Sequence, residues 1–356
     1  MTRRLADVAR KVGVSEATVS RALNGKPGVS ESTRQAVLTA LDVLGYERPT
    51  ALRGVGVRLV GLVLPELQNP IFPALAEAVG GALVQVGFTP VLCTRSAGGL
   101  TEAEYVTMLL DQQVSGVVFC GGLTQEEHHQ LLERGVPVVM LNAAVDWGGF
   151  PQVQTSDASA VQQALTHLIA LGHQEIALMV GPAGHVPSER KAAAFAGLAK
   201  QTGLRCRITR SLFSFEGGQA AATELLECHD AVTAVICGSD VLALGTIRAA
   251  RRLGRAVPRD LSVIGYDDSV FMQYTNPPLT TLRQPIESLA RAAVTLLLNQ
   301  ISGDAPLPRA LLHEPELVVR GSTGPARHTA ETPAQAVARE MLTESAVLPV
   351  RTYARP

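Results

Sequence analysis

The sequence predicts a small all-α N-terminal domain followed by an α/β core built from two doubly wound parallel sheets. Three short amphipathic helical patterns fill residues 1–46. From residue 59 onward, near-continuous apolar runs of strand length alternate with longer helical patterns, as is typical of parallel sheets covered on both faces. The chain has 356 residues, 46% of them hydrophobic, which leaves enough apolar side chains for two lobes after the first domain.

The first domain is predicted to hold three helices joined by short turns. Gly13 and Gly45 end the first and third helices, and Ser15 and Ser30 are placed to cap the second and third. The inward faces are Leu5, Val8, Ala9 and Val12, then Val19, Ala22 and Leu23, then Val37, Ala40, Leu41 and Leu44. Two helices joined by a short glycine-containing turn, with a third in support, form a helix-turn-helix domain.

The second helix has an outer face that is not suited to a core. Short polar or small side chains and one long cation recur along it, at Glu16, Ala17, Ser20, Arg21 and Asn24. Residues 1–58 contain ten Lys or Arg and five Asp or Glu, a net charge of +5; because the whole chain carries −1, residues 59–356 sum to −6. A basic helical domain attached to an acidic body is the pattern expected of a DNA-reading domain.

In order and spacing, this domain resembles the headpiece of the lac repressor family of bacterial transcription regulators. The matching runs are Leu5–Ala9, Gly13–Asn24, Val29–Arg34 and Leu44–Tyr46. The resemblance implies that Glu16, Ala17 and Arg21 read base edges in the major groove. It also implies that a second group mainly positions phosphates: Ser15, Thr18, Ser20, Asn24 and Arg34.

Glu16 departs from the neutral or basic residue that the family leads us to expect there. A carboxylate in the groove accepts a hydrogen bond from cytosine N4 but is repelled by phosphate. Two interpretations stay open: Glu16 narrows the choice of operator, or it points at solvent.

The core is predicted to alternate strands and helices through two lobes. In the first lobe we expect strands at 59–64, 88–93, 117–120 and 136–141, and helices at 71–85, 102–112 and 125–134. In the second we expect strands at 176–180, 234–237 and 262–266, and helices at 157–171, 189–201, 217–228 and 241–253. A helix at 289–301 then returns to the first lobe.

The core also resembles the sugar-sensing part of the same family. The matching runs are Gly61–Pro65 with Asn69–Phe72, His167-Leu168 with Leu171–His173, Ser239-Asp240 with Ala243–Gly245, Val257–Asp268, and Pro277–Leu282. The resemblance implies a core like that of a periplasmic sugar-binding protein. The expected domains are a headpiece 1–46, a hinge or linker 47–58, a core 59–324 with lobes 59–156 plus 286–320 and 157–285, and a disordered tail 325–356.

Candidate effector-binding residues follow the predicted strands, because ligands of open α/β sheets bind beyond the carboxyl ends of the strands. They are Asn69, Phe72, Asn142, Asp157, Asp240 and Asp267. Carboxylates and amides suit vicinal hydroxyls, and an aromatic ring such as Phe72 or Phe215 packs on the apolar face of a sugar. Asp157 and Asp240 are also placed to cap helices, so a structural role stays open for both.

The family further implies an arginine on a second-lobe helix ahead of an aromatic residue. Counting back from Phe195 selects Lys191, and counting back from Leu198 selects Arg190. We assign the role to Arg190, with Lys191 as the alternative. The pair Asp267-Asp268 has no His or Cys at ligand spacing, so no metal is expected.

The linker departs from the family's hinge, which folds on DNA and wedges a leucine into the minor groove. Residues 49–58 are shorter than that hinge and lack its asparagine, and Gly54 and Gly56 each cost ~1 kcal/mol relative to Ala within a helix. Leu52 or Val55 is placed to serve as the wedge, and Arg53 is assigned to DNA together with Leu52.

Enzyme signatures are lacking in the sequence. It contains no P-loop, HExxH or GxSxG motif, and Gly54-Val55-Gly56 has neither the third glycine nor the preceding strand of a dinucleotide fingerprint. Five cysteines without CxxC spacing suggest buried thiols in a reducing compartment. We therefore expect no enzyme activity, no cofactor and no membrane span, and a cytoplasmic location.

The sequence thus predicts a repressor that binds a palindromic double-stranded DNA operator as a homodimer, with a tetramer left open. A small effector, with a sugar as the first choice, would bind between the two core lobes and control DNA binding. The alternative is a sugar-binding protein or α/β enzyme whose headpiece is non-functional.

Overall fold

The computed structural model describes residues 8–23, 28–43, 58–94, 102–120, 133, 135–143, 149–303 and 310–326. The chain divides by its contacts into two units, Met1–Arg58 and Leu59–Pro356. Within the described residues, no helix is long and apolar enough to cross a membrane.

The first unit contains three helical segments: α1 at residues 8–12, α2 at Glu16–Leu23 and α3 at Glu31–Val43. The Ser15 hydroxyl accepts from the backbone N–H of Thr18 at 3.1 Å, and that of Ser30 accepts from Thr33 at 3.2 Å, which confirms both predicted caps. The helices enclose a small core of Val8, Ala9, Val19, Ala22, Val37 and Ala40. Residues 1–7, 24–27 and 44–57 lie outside the described residues.

The first lobe of the core is a six-stranded parallel sheet in the order β11-β5-β4-β3-β1-β2. Its strands are β1 Leu59–Leu64, β2 Thr89–Thr94, β3 Gly116–Phe119, β4 Val138–Leu141, β5 Gln152–Thr155 and β11 Ala310–His313. Its helices are α4 Ile71–Gln85, α5 Glu102–Asp111 and α10 Ile286–Ser302. The apolar faces of α4 and α10 pack together on the sheet, so this lobe is closed by a helix that returns late in the chain.

The second lobe is a six-stranded sheet in the order β12-β10-β9-β8-β6-β7. Its strands are β6 Glu175–Val180, β7 Arg205–Arg210, β8 Ala234–Cys237, β9 Ser262–Asp267, β10 Thr280–Arg283 and β12 Glu316–Val318. Its helices are α6 Asp157–Ala170, α7 Val186–Thr202, α8 Phe215–Cys228 and α9 Asp240–Arg252, with a short 3-10 turn at Met272–Tyr274. Helices cover both sheet faces with separate apolar clusters, as doubly wound packing requires.

Several strands are absent from the sequence-based interpretation: β5, β7, β10, β11 and β12. The edge strand β7 carries Arg205, Arg207 and Arg210 and leaves most of its side chains exposed, so it has no apolar run. The others are three or four residues long and each contains a polar or charged residue, unlike the equally short apolar strands β3, β4 and β8. Pairing with a neighbouring strand, rather than side-chain hydrophobicity, makes such segments strands. The predicted helix 125–134 falls outside the described residues except for position 133.

The predicted first-lobe boundary at residue 320 is wrong. Residues 316–318 pair antiparallel with β10, with Glu316 opposite Arg283. They therefore belong to the second-lobe sheet. An ion pair at 3.0 Å joins the same two side chains. The chain therefore crosses between the lobes three times, at 155–157, 283–286 and 313–316. Residues 325–326, assigned to the tail, still contact this lobe, since the Ala326 N–H donates to the Leu171 carbonyl at 2.8 Å.

Candidate functional site

The outer face of α2 is open, while its inner face is packed. Ser15, Glu16, Ala17 and Arg21 are exposed, whereas Val19 and Ala22 are buried. Thr18 and Ser20 lie half-buried at the edges of this face. The predicted DNA-binding residues Asn24, Leu52 and Arg53 lie outside the described residues.

Arg34 supports this helix from α3. Its guanidinium Nη1 donates to the Ala22 carbonyl at 3.4 Å, in the last turn of α2 where carbonyls lack helical partners. Glu16, at the opposite end, places a carboxylate at the positive end of the helix dipole. Both charged residues thus stabilise α2 locally, whatever they contact on DNA.

The core contains a cavity of about 790 Å³ between its two lobes. Its first-lobe wall includes Asn69, Phe72, Leu75, Cys120 and Asn142, and its second-lobe wall includes Asp157, His185, Arg190, Lys191, Phe213, Tyr266 and Asp267. Gln284, at the second crossing, joins them. The carboxyl ends of strands from both sheets meet here, which is the position expected for a ligand site.

One carboxylate in the second-lobe wall pairs with both candidate cations. Asp157 Oδ2 accepts from Arg190 Nε at 2.7 Å, and its Oδ1 accepts from Lys191 Nζ at 2.6 Å. Lys191 also lies over the Tyr266 ring, 4.1 Å from the centroid, so its ammonium is enclosed. Asp157 is the first residue of α6, but the cap is supplied by the Ser156 hydroxyl, which leaves the Asp157 carboxylate to these cations.

Arg190 and Lys191 therefore have different roles. The Lys191 side chain is 9% exposed, and its ammonium is bound by Asp157 and Tyr266. The Arg190 side chain is 32% exposed and uses Nε alone for Asp157. Its two terminal NH₂ groups make no hydrogen bond to the described chain, so Arg190 keeps four N–H donors for a ligand.

Asp267 ends β9 in a strained turn. Asp267 and Asp268 have φ values of +116° and +55°, a region that residues other than Gly rarely adopt. Oδ1 of Asp267 accepts from Gln284 Nε2 at 2.7 Å, whereas Oδ2 is buried without a partner in the described chain. Burial, and next the charge of Asp240, raise the pKa of Asp267 well above the ordinary value, which favours its protonated form.

Gln284 links the crossings between lobes to this site. Its Oε1 accepts from Asn142 Nδ2 at 2.6 Å and from Thr155 Oγ1 at 2.8 Å. The side-chain oxygen of Asn142 in turn accepts from the Thr155 N–H at 3.0 Å, and Asn142 has a φ of +48°. The predicted site residue Asn142 is thus mainly engaged with the crossings.

The remaining first-lobe candidates lie at the start of α4. Asn69 is buried, and its Oδ1 accepts a long hydrogen bond from the Ile71 N–H at 3.4 Å. Phe72 is half-buried in the first turn of α4, and it lines the cavity.

Two residues that the sequence predicts as effector contacts, Phe215 and Asp240, do not line the cavity. Phe215 begins α8 behind the capping Ser214, and Phe213 lines the cavity in its place. Asp240 is 1% exposed and accepts from Thr281 Oγ1 at 2.6 Å and from the Ser269 N–H at 2.7 Å. The cap of α9 is Ser239, so Asp240 is free to bind these two groups.

Sequence reasoning missed His185, Phe213, Tyr266 and Gln284. The His185 ring meets Phe213 edge-on, with centroids 5.1 Å apart, and its Nδ1 contacts Ser188 Oγ at 2.8 Å. Burial, followed by the nearby Lys191 charge, lowers the pKa of His185 to about 4, so it is neutral near pH 7. Phe213 and Gln284 lie just after the ends of β7 and β10. Because the sequence analysis did not recognise these two strands, it could not place either residue at a strand end.

Metal and thiol chemistry find no support in the described residues. No group of three or more His, Cys, Asp or Glu there could hold a metal ion. Cys93, Cys120 and Cys237 are buried free thiols, and burial raises the pKa of Cys120 and Cys237 to about 12. Cys228 is exposed, unlike the buried thiols expected from the sequence.

Comparison with known proteins gives matches over both units. Residues 4–49 match the family model described as bacterial regulatory proteins, lacI family, and residues 165–323 match the periplasmic binding protein-like domain. The HTH-type transcriptional regulator MalR of Streptomyces coelicolor is 48% identical, over 92% of this chain and 98% of its own length. The transcriptional repressor CytR of Escherichia coli K12 is 31% identical, over 89% and 95%.

Two solved structures extend the comparison to the fold. The lac repressor dimer bound to operator and the anti-inducer ONPF has a TM-score of 0.73 and 29% identity, covering 89% of this chain and 98% of its own. The transcriptional regulator CelR in complex with cellobiose has a TM-score of 0.68 and 33% identity, covering 89% and 99%.

Proposed function

The chain belongs to the lacI family of bacterial regulatory proteins, and we propose that it is a homodimeric repressor whose affinity for a palindromic operator is set by a sugar bound in the core cavity. As a member of this family it is a DNA-binding transcription regulator and not an enzyme. Because its target is bacterial DNA, we place it in the cytoplasm.

The DNA contact is assigned to the open face of α2. Arg21 has the long side chain that forms paired hydrogen bonds with a base edge, and Glu16 and Ala17 lie one turn earlier on the same face. Ser15, Thr18, Ser20 and Arg34 are assigned to phosphates, together with Asn24. Leu52 and Arg53 extend the proposal to the minor groove. A single headpiece covers one half-site, so a palindrome requires two chains.

The observation that carries the effector assignment is the free guanidinium end of Arg190 beside Asp157 in a two-lobed cavity. Two parallel N–H donors suit the vicinal hydroxyl oxygens of a sugar, and Asp267 adds a further polar group on the same wall. Phe72 and Phe213 contribute aromatic surface to opposite walls for the apolar face of the ring.

The charges of the described cavity lining favour an uncharged effector. Arg190 and Lys191 carry two positive charges, and Asp157 and Glu66 carry two negative ones. Burial lowers the pKa of His185 to about 4 and raises that of Asp267, so neither group adds a positive charge near pH 7. An anionic ligand would therefore lose its hydration on binding, and the positive charges that it met would already be balanced by carboxylates.

Control of DNA binding follows from differential affinity. A sugar that touches both walls binds best to one arrangement of the lobes and shifts the population towards it. The coupling between effector and operator in such systems is about 1–3 kcal/mol and acts equally in both directions. The crossings held by Gln284 are the part of the core that such a change must adjust.

Operator binding is tested by fluorescence anisotropy of the full chain on DNA from its own upstream region and on random duplex. We expect Arg21→Ala to weaken specific binding by roughly 10- to 100-fold, since a paired contact to a base discriminates by about 1–3 kcal/mol. Arg207→Ala removes an equally exposed charge from the core strand β7 and should change little. A wild-type protein without preference for its own DNA at any salt concentration would contradict the proposal.

Effector binding is tested by thermal shift with cellobiose, maltose, ribose, a nucleoside and a sugar phosphate. A ligand at 100 times its Kd stabilises the folded chain by about 2.7 kcal/mol, which gives a clear shift. We expect an uncharged sugar to act, and the shift to disappear in Asp267→Ala. A response to the sugar phosphate alone would overturn the assignment of an uncharged effector. A sugar response without operator binding would favour the alternative of a sugar-binding protein with a non-functional headpiece.

A further inference from the structure

Asp240 is a buried carboxylate that does not line the cavity, yet it binds the turn that carries Asp267. It is 1% exposed at the start of α9. Its Oδ2 accepts from the backbone N–H of Ser269 at 2.7 Å, two residues after Asp267. Its Oδ1 accepts from the hydroxyl of Thr281 in β10 at 2.6 Å. Both oxygens are therefore engaged, and one of them holds the backbone of the turn.

The turn needs such support because its backbone is strained. Asp267 and Asp268, at φ +116° and +55°, occupy a strained region that persists only where the surrounding structure enforces it. Asp268 is held by Arg283 Nε at 2.7 Å and by Arg320 Nη2 at 2.6 Å. Asp240 provides the anchor on the other side of the turn, at Ser269.

The two neighbouring strands confine the Asp240 carboxylate. A side chain added at Gly265, in the strand that leads to Asp267, would run into Oδ1 of Asp240. Gly265 faces Thr281 in the register of β9 and β10, so the carboxylate fills the space that the missing Cβ leaves between the two strands. The position of the Asp240 carboxylate is therefore set by the sheet itself.

We propose that Asp240 is a positioning residue of the effector site: its carboxylate holds the Asp267–Ser269 turn and thereby keeps Asp267 in the cavity wall as a neutral hydrogen-bond donor. The inference rests on the proposed function, because it names how that site presents Asp267. Asp267 has one oxygen bonded to Gln284 and a second that is buried without a partner in the described chain, and an ionised carboxylate would be costly there.

The charged and titratable groups around Asp267 support this state. Asp240 faces it from α9 and Asp268 follows it in the turn, while Lys191, Arg190, Asp157 and His185 face the cavity from α6, α7 and the loop before α7. Asp157 neutralises the nearest cations at 2.6 and 2.7 Å. Burial, then Asp240, raise the pKa of Asp267, while Gln284 and Lys191 lower it less; the pKa of Asp240 itself is raised to about 6. Burial and the Asp240 charge therefore both favour the protonated form of Asp267.

The experiment is infrared spectroscopy of the full chain from pH 5 to 10, since a protonated carboxyl absorbs apart from a carboxylate. The Asp267 band is identified by its loss in Asp267→Asn. We expect this band in the wild-type protein at pH 7 and a fall in its titration midpoint of about one pH unit or more in Asp240→Asn, where the neighbouring charge is gone. Asp230→Asn, an exposed aspartate of the same lobe, is the matched control and should leave the midpoint unchanged.

Circular dichroism establishes whether each variant folds. If Asp240→Asn does not fold, Thr281→Val decides, because it has a similar shape and removes only the hydroxyl that donates to Asp240. We then expect the midpoint of Asp240 to rise from about 6, and the Asp267 midpoint to fall as Asp240 becomes neutral. An Asp267 band that is absent at pH 7, or a midpoint unmoved in the folded variant, overturns the inference.

This readout needs neither operator nor effector, so its failure is distinct from that of the proposed function. If none of the tested sugars binds while the Asp267 midpoint shifts as expected, the effector assignment fails and the role of Asp240 stands. If a sugar binds while the Asp267 midpoint stays ordinary, the role of Asp240 fails and the effector assignment stands.

Discussion

The two lobes line one cavity with different chemistry. The first-lobe wall contains one carboxylate, Glu66, and otherwise uncharged side chains among its described residues. The second-lobe wall contains two ion pairs, in which Asp157 binds both Arg190 and Lys191. It also contains Asp267. Both ion pairs stay within the second lobe, so the first lobe can change its angle without breaking them. From this difference we expect the second lobe to orient the effector and the first lobe to close over it.

The ion pair should be the most costly element to break. In Asp157→Ala the Lys191 ammonium stays buried without its partner, and such uncompensated charges cost about 3–5 kcal/mol. We expect a loss of that size in the free energy of unfolding, measured with urea. Asp157→Ala combined with Lys191→Met should recover most of the loss. A single variant within about 1 kcal/mol of wild type would show that the second lobe does not depend on this pair.

Mild acid should weaken the second lobe next. Burial is the main factor that lowers the pKa of His173 and His185 from 6.5 to about 4. Because the unfolded chain binds these protons more readily, the stabilisation is complete above pH 6.5 and is lost as pH falls towards 4. At about 1.4 kcal/mol per pH unit, each histidine accounts for up to about 3 kcal/mol.

The measurement is the free energy of unfolding between pH 7 and 4. His173→Gln should give a shallower decline, since the His173 ring bonds Thr233 and Ser262 in the lobe interior. His229→Gln, at the end of α8, is the matched control. An unchanged slope in His173→Gln would refute the assignment.

Removal of the Arg190 guanidinium should affect the affinity for the effector more than the stability of the fold. Hydrogen bonds from a charged group are worth about 1.5–3 kcal/mol, so Arg190→Ala should weaken the binding of the active sugar by roughly 10- to 100-fold. Lys191 keeps Asp157 paired, so the melting temperature should move little. Arg190→Lys should recover only part of the affinity, because an ammonium cannot form the paired hydrogen bonds of a guanidinium. Calorimetry checks this, and wild-type affinity in Arg190→Ala would remove the residue from the site.

The smallest effect is expected from the uncharged wall. Phe72→Leu keeps an apolar side chain but removes the aromatic face, which is worth about 0.5–1.5 kcal/mol in stacked contacts. We expect a 2- to 10-fold loss of sugar affinity in calorimetry, with operator binding of the sugar-free protein unchanged. A loss larger than that of Arg190→Ala would reverse the proposed division between the two walls.

The predicted site residues and the cavity lining agree best where the sequence signal was local. Asn69, Phe72, Asn142, Asp157, Arg190 and Asp267 all line the cavity, and most of them lie just after a strand that the sequence predicts. Asp240 follows a strand as well, but contacts with Ser269 and Thr281, 29 and 41 positions away, take up its carboxylate. A rule based on strand ends cannot separate Asp240 from Asp157, because both residues follow a strand and start a helix.

What the sequence determined by itself is the headpiece with its open polar face, the two-lobed α/β class and the regulator family. These depend on periodic burial, helix caps and contiguous motifs, all of which act within a few residues. The tertiary structure alone decided that β12 joins the second lobe, that Arg190 rather than Lys191 keeps free donors, and that Asp240 serves the turn of Asp267. Each of these depends on side chains that are distant in the chain and meet only after the sheets form. Burial and pairing there, rather than residue type, set which polar groups remain available for a ligand.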